Sequence, residues 1–111
     1  MSEKVILLGS DGLGRGDERL GQMLMANYLR QLGEAPEKPR ALFLLNSAVK
    51  LVADGSLVLD HLERLEDAGV EILSCRTCVE WLDLEDKLRV GKISSMAAFV
   101  QLAANHEVIA L

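Results

Sequence analysis

Aromatic residues are scarce in this chain: one Trp, one Tyr and two Phe occur among 111 residues. Proteins that bind single-stranded nucleic acid stack bases on aromatic side chains, and nucleic-acid binders in general carry an excess of positive charge. Here 12 Lys and Arg residues stand against 17 Asp and Glu residues, which gives a net charge of −5. The composition therefore argues against nucleic-acid binding.

Long hydrophobic runs are also lacking. Apolar residues make up 50% of the chain, yet none of their runs approaches the roughly 18 residues that cross a bilayer. The chain leads from Met1 to the strand-like Val5 without the basic and apolar regions of a signal peptide. We therefore expect a cytoplasmic protein without membrane contact, folded as a single domain over residues 1–111.

Strand and helix patterns alternate along the chain. Short apolar runs predict strands buried on both faces at 5–8, 41–45, 70–73 and 108–111, and 90–93 predicts a turn or a short strand. Helical spacing predicts helices at 18–32, 56–68 and 79–88, and a last one that begins after Ser95. Asp17, Ser56 and Ser95 are the expected N-caps. This alternation is typical of an α/β sandwich around a mostly parallel sheet.

Three polar segments follow the first three predicted strands. They are the glycine loop 9–17, the pair Asn46 and Ser47, and the segment that begins at Cys75. The carboxyl ends of parallel strands lie at one edge of a sheet, where sites in α/β proteins form. We therefore expect these segments to meet there, although turn-forming side chains would also explain Asn46 and Ser47.

The two cysteines, Cys75 and Cys78, are the only ones in the chain. In a reducing compartment such a pair is more often catalytic or metal-binding than structural. The start of a helix is expected to favour the thiolate form of both cysteines. We expect Cys75 to be the more exposed thiol, with Arg76 favouring its thiolate further. Two thiols supply only half of a zinc shell, and no second ligand pair is apparent, so no metal or cofactor is predicted. Two packed thiols, or a reversible disulfide, remain alternatives.

The glycine loop is the second candidate for chemistry. It matches neither the dinucleotide fingerprint nor the P-loop, because its glycines alternate and no Lys-Ser or Lys-Thr follows. We interpret it as a loop whose backbone closely approaches a neighbour. Its amides and Arg15 could still hold a small anion such as a persulfide. The candidate binding residues in the loop are Asp11, Gly12, Gly14, Arg15 and Gly16.

Three stretches together resemble the DsrE-like domain of YedF-type proteins, a sulfurtransferase-like group associated with selenium metabolism. They are 10–17, 45–51 and 69–78, and the likeness continues through 84–96. The resemblance implies a three-layer α/β/α fold with a five-stranded parallel sheet, and a cysteine that carries sulfur as a persulfide between partner proteins, often within oligomers. It places the cysteine site at Cys75 and Cys78.

Two features differ from the YedF pattern. The chain contains no Cys-Pro-x-Pro motif of a TusA-like domain, so a separate TusA-like carrier is an expected partner. Arg76 stands where the pattern often has Gly, and its larger side chain is expected to affect access to the thiol.

The leading hypothesis is a sulfurtransferase-like persulfide carrier with Cys75 as nucleophile and Cys78 as resolving thiol. Asn46, Ser47 and the glycine loop would line its pocket, and Arg76 is a further candidate binding residue. A non-catalytic module that binds a small anion or assembles with partners is one alternative. A dithiol redox protein that cycles between thiols and a disulfide is the other.

Overall fold

The computed structural model describes residues 2–111, in which five strands alternate with helices. The strands are β1 (Val5–Leu8), β2 (Ala41–Leu44), β3 (Glu71–Cys75), β4 (Lys92–Ser94) and β5 (Val108–Ala110). The helices are α1 (Glu18–Glu34), α2 (Leu59–Asp67), α3 (Arg76–Trp81) and α4 (Met96–Asn105), and a 3₁₀ helix spans Asn46–Val52.

The five strands form one sheet in the order β4-β3-β2-β1-β5, and every pairing is parallel. Leu8 of β1 is level with Leu44 of β2, which is level with Ser74 of β3. The carboxyl ends of the three central strands therefore lie side by side at one edge. The predicted parallel α/β sheet is confirmed.

Helices cover both faces of the sheet. Ile6, Leu42 and Ile72 face the side that carries α1 and α2, and the hydrophobic core there includes Met25 and Leu29 of α1 and Leu62 and Leu65 of α2. On the opposite face, Phe43 contacts Phe99 of α4 with ring centroids 4.9 Å apart. This is the three-layer α/β/α arrangement, in which apolar strands are buried on both faces.

The helix predicted at 79–88 is wrong in its position. Helix α3 begins directly after β3 and ends at Trp81, and turns follow it. Asp83 has a φ of 55°, a left-handed conformation that interrupts a helix. Leu84 and Leu88 pack against the core from these turns, so their apolar spacing reflects burial rather than a continuous helix.

The predicted helix N-caps are correct at two of three positions. Asp17 accepts a hydrogen bond from the Leu20 N–H at 2.8 Å, and Ser95 accepts one from the Ala98 N–H at 3.0 Å. Ser56 instead accepts from the Val58 N–H, and α2 begins only at Leu59. No helix within residues 2–111 is both long enough and apolar enough to span a membrane.

Candidate functional site

The loops after β1, β2 and β3 meet at the carboxyl edge of the sheet. The Asp11 N–H donates to Ser47 Oγ at 3.2 Å, which joins the glycine loop to the 3₁₀ helix. The Asn46 N–H donates to Cys78 Sγ at 3.0 Å, which joins the 3₁₀ helix to α3. The predicted convergence of the three segments is therefore confirmed for these four residues.

The backbone of Asn46 aims its N–H at the thiol. Asn46 has a φ of 55°, in the left-handed region that Asn adopts more readily than most residues. The preceding residue, Leu45, is still held to the sheet because its N–H donates to the Leu8 carbonyl at 2.9 Å. The extended conformation of Leu45 (φ −122°, ψ 156°) sets the direction of the Asn46 N–H toward Cys78. The left-handed φ of Asn46 then turns the chain into the 3₁₀ helix.

The two cysteines have different surroundings, and their order of exposure is the reverse of the prediction. Cys75 is only 2% exposed and packs with Phe43 and Leu73 on the α4 side of the sheet. Cys78 lies one helical turn later and is half-buried, and both thiols are free. The prediction was wrong because β3 extends through Cys75. As the last residue of a strand that is covered on both faces, Cys75 is buried in the core.

The predicted low pKa is also wrong for Cys78. Its partial burial raises the pKa of the Cys78 thiol above the ordinary value, and the neighbouring Cys75 raises it further. The Asn46 N–H acts in the opposite direction, because it stabilises negative charge on sulfur. Helix α3 contains six residues, so its dipole is smaller than that of a long helix.

These influences predict a pH dependence that can be measured. Because the pKa of Cys78 is raised, we expect its alkylation rate to reach half its maximum at a higher pH than that of an unstructured cysteine peptide. Cys75→Ala removes one cause of the increase, so the midpoint should fall and alkylation at neutral pH should become faster. Peptide mapping after timed iodoacetamide treatment gives the rate at Cys78.

Ser74→Ala is the matched control for this experiment. Ser74 is as buried as its neighbour, at 1% exposed, but it faces the opposite side of the sheet from Cys75. Its substitution should leave the pH profile of Cys78 unchanged. If Cys75→Ala and Ser74→Ala give the same profile, the neighbouring thiol does not influence Cys78.

The glycine loop is held near the site but only one end reaches it. The Leu13 N–H donates to the Gly21 carbonyl at 3.0 Å, and a Cβ on Gly12 would lie 3.0 Å from the Gly21 carbonyl carbon. The predicted close backbone approach is therefore confirmed. Gly14, Arg15 and Gly16 are exposed, and none of the hydrogen bonds among residues 2–111 joins them to Ser47 or Cys78.

Two further residues lie near the site, and of these only Gln22 was not foreseen. The Gln22 side-chain amide donates to Asp11 Oδ2 at 3.4 Å and so links α1 to the loop. Trp81 follows Cys78 by one helical turn and is 84% exposed, so it flanks the thiol at the surface. Arg76 is also exposed, at the first position of α3.

Metal ligands are not assembled around the thiols. Within residues 2–111, His, Cys, Asp and Glu side chains do not form any group of three or more that could hold a metal ion.

Solved structures of similar length share this architecture. The YchN protein from E. coli superposes with a TM-score of 0.76 at 20% sequence identity, over 100% of both chains. The fold is DsrE-like. MTH1491 from Methanobacterium thermoautotrophicum, a protein of unknown function, gives a TM-score of 0.69 at 17% identity over 100% of both chains.

A third DsrE-like neighbour extends the comparison to another organism. BT1422 from Bacteroides thetaiotaomicron, a conserved protein of unknown function, gives a TM-score of 0.64 at 15% identity over 98% of this chain and 95% of its own. Neither a family model nor a curated protein matches the chain. At these identities the likeness establishes the DsrE-like fold alone.

Proposed function

We propose that this protein is a sulfurtransferase-like carrier that holds sulfur as a persulfide on Cys78. The observation that supports this most is the hydrogen bond from the Asn46 N–H to a partly accessible thiol at the carboxyl edge of the sheet. Cys75 is too buried to meet a donor protein directly. The structure therefore favours Cys78 as nucleophile, in place of Cys75.

The transfer is a pair of nucleophilic displacements. The Cys78 thiolate attacks the outer sulfur of a donor persulfide, R–S–SH, so that a bond forms between the two sulfurs. The S–S bond of the donor breaks, and the donor leaves as the thiolate R–S⁻. An acceptor thiolate then attacks the outer sulfur on Cys78, and Cys78 leaves as a thiolate. Neither step consumes an oxidant or a reductant.

The surroundings of Cys78 suit both directions of this exchange. A thiolate of higher pKa is the stronger nucleophile once it is formed, which favours loading. During unloading, negative charge returns to Cys78 Sγ, where the Asn46 N–H is already placed to stabilise it. Asp11 and Ser47, which are joined by a hydrogen bond next to Asn46, would border the place that receives the outer sulfur.

The proposed partners are proteins that deliver or accept the sulfur atom, such as a TusA-like carrier, and selenium is a second candidate cargo. The proposed place of action is the cytoplasm. Trp81 is the exposed aromatic side chain beside the thiol, and Trp is enriched among the residues that dominate protein interfaces. We therefore propose that a partner docks on Trp81 when its thiol approaches Cys78.

The test is to detect the carried atom. The protein is incubated with glutathione persulfide, and its intact mass is measured without a reducing agent. We expect a gain of one sulfur atom that maps to Cys78 and is lost on addition of an acceptor thiol. Failure to gain sulfur, with both thiols unreactive until the protein is unfolded, would instead support the non-catalytic binding module.

A dithiol redox protein is the second candidate, because Cys75 and Cys78 are both free thiols within one helical turn of each other. That function predicts reversible loss of two hydrogen atoms on mild oxidation, with both cysteines protected from alkylation. The carrier function predicts instead that Cys75 stays a free thiol while Cys78 holds sulfur.

A homo-oligomer is also proposed, because α4 has none of its residues fully buried although it is strongly apolar. Its exposed side chains include Met96 at 51% and Val100 at 60%. A charge buried without a partner costs about 3 kcal/mol, so we expect Val100→Asp to weaken self-association about a hundredfold or more. Sedimentation velocity across a dilution series measures this.

Leu57→Asp is the matched control, since Leu57 is 98% exposed in a turn outside α4. It should leave the sedimentation of the protein unchanged. A wild-type protein that sediments as a monomer at all concentrations would contradict the proposal of an oligomer.

A further inference from the structure

A groove lies on the α1 side of the sheet, and neither cysteine lines it. Its volume is about 630 Å³, within the range of small-molecule sites. Arg19, Met23 and Ala26 form one wall along the first half of α1, and the opposite wall is the segment 50–58. Leu84, in the turns after α3, also lines it.

The groove has an apolar lining that is open to solvent. Leu51, Ala53 and Val58 are buried at its base. At the surface, Met23 is 70% exposed and Leu57 is 98% exposed. Large apolar side chains that surround a concave apolar surface mark a place where a ligand can be covered.

The charges around the groove leave two cations without a partner. Asp54 forms an ion pair with Arg89, and Asp11 accepts hydrogen bonds from Ser47 and Gln22. Arg19 and Lys50 make no ion pair or side-chain hydrogen bond with any of residues 2–111. Ser47 and Gln22 are neutral, so their hydrogen bonds leave the charge of Asp11 in place. Two free cations against this one carboxylate, with Asp54 already paired to Arg89, give the groove a surplus of one positive charge.

We propose that the groove binds a free amphiphilic monoanion, an unbranched alkyl chain that ends in a carboxylate. The chain would lie on Met23, Ala26 and Leu57, and the carboxylate would pair with Arg19 and Lys50. A neutral apolar ligand would leave both cations unpaired, and a second anion would meet Asp11 or Asp54. Asp11 borders both sites, but neither thiol lines the groove, so the inference does not depend on the proposed sulfur chemistry.

The test uses the full chain and short fatty acids below their micelle concentrations. Hexanoate, octanoate and decanoate are titrated by calorimetry, and the amide signals of Ala26 and Ala53 are followed by NMR. We expect saturable binding that strengthens about two- to fourfold with each added methylene. At equal chain length, 1-octanol should bind more weakly than octanoate.

Substitutions at exposed positions test the two halves of the ligand. Arg19→Gln and Lys50→Gln should each weaken octanoate binding about two- to fivefold. Leu57→Ser should weaken it about fivefold, because it removes apolar contact. Arg30→Gln is the matched control, since Arg30 is on α1 but outside the groove, where it donates to Asn27. It should leave octanoate binding unchanged.

Three results would overturn the proposal. Equal binding of octanol and octanoate would show that Arg19 and Lys50 do not recognise the carboxylate. Arg30→Gln weakening octanoate as much as Arg19→Gln would show only general attraction to positive charge. Dissociation of an oligomer by Leu57→Ser would assign the groove to a second copy of the chain. Cys78→Ser should bind octanoate like the wild type, which separates this result from the fate of the proposed carrier function.

Discussion

Cys78→Ser is expected to abolish persulfide loading, whereas Cys75→Ala is expected to retain it. The reason is access: Cys78 is partly exposed beside the Asn46 N–H, and Cys75 is 2% exposed within the core. A serine hydroxyl is not an effective nucleophile without a base to activate it, so the sulfur adduct should fall to the background level. Intact mass and peptide mapping after treatment with glutathione persulfide measure both variants.

The two variants together distinguish the thiols. Cys75→Ala should load at neutral pH at least as fast as the wild type, because the pKa of Cys78 falls when its neighbouring thiol is removed. Loading that is lost in Cys75→Ala and kept in Cys78→Ser would reverse the assignment of the nucleophile. If both variants load as well as the wild type, the sulfur resides elsewhere and the carrier function is wrong.

A fold of this kind can be predicted from the sequence because parallel strands that are buried on both faces appear as short, continuous apolar runs. The runs at 5–8 and 41–45 are apolar at every position, and both form central strands of the sheet. Once the strands are parallel, the segments that follow them must meet at one edge, which is why Asp11, Ser47 and Cys78 could be placed together.

The exposure of the two cysteines could not be predicted in the same way. It depends on whether β3 ends before or after Cys75, because both faces of this strand are buried and only a residue beyond its end can reach the surface. The pairing of Cys75 with Ser94 of β4 decides the question. That pairing lies between residues far apart in sequence, and the short apolar run at 70–73 contains no sign of it.

The site also depends on how tightly β4 packs against β3, and Gly91 is the residue that permits this. Its φ is 76°, and a Cβ placed on it would lie 2.3 Å from the Ile72 carbonyl oxygen. Left-handed backbone costs a non-glycine residue about 1–2 kcal/mol, and overpacking against rigid backbone adds about 1–3 kcal/mol. We expect Gly91→Ala to lower the free energy of unfolding by about 3 kcal/mol or more, measured by urea denaturation.

Two other glycines separate the causes of this loss. Gly55 has a φ of 87°, and a Cβ placed on it would meet nothing within 4 Å, so Gly55→Ala should cost only the backbone term of about 1–2 kcal/mol. Gly9 has neither a positive φ nor a close neighbour, so Gly9→Ala should be nearly neutral.

Because Leu73 and Cys75 pair with β4 directly after Gly91, Gly91→Ala should also make Cys75 accessible to alkylation. If Gly91→Ala is no more destabilising than Gly55→Ala, β3 and β4 can separate freely at this point, and the burial of Cys75 does not depend on their close packing.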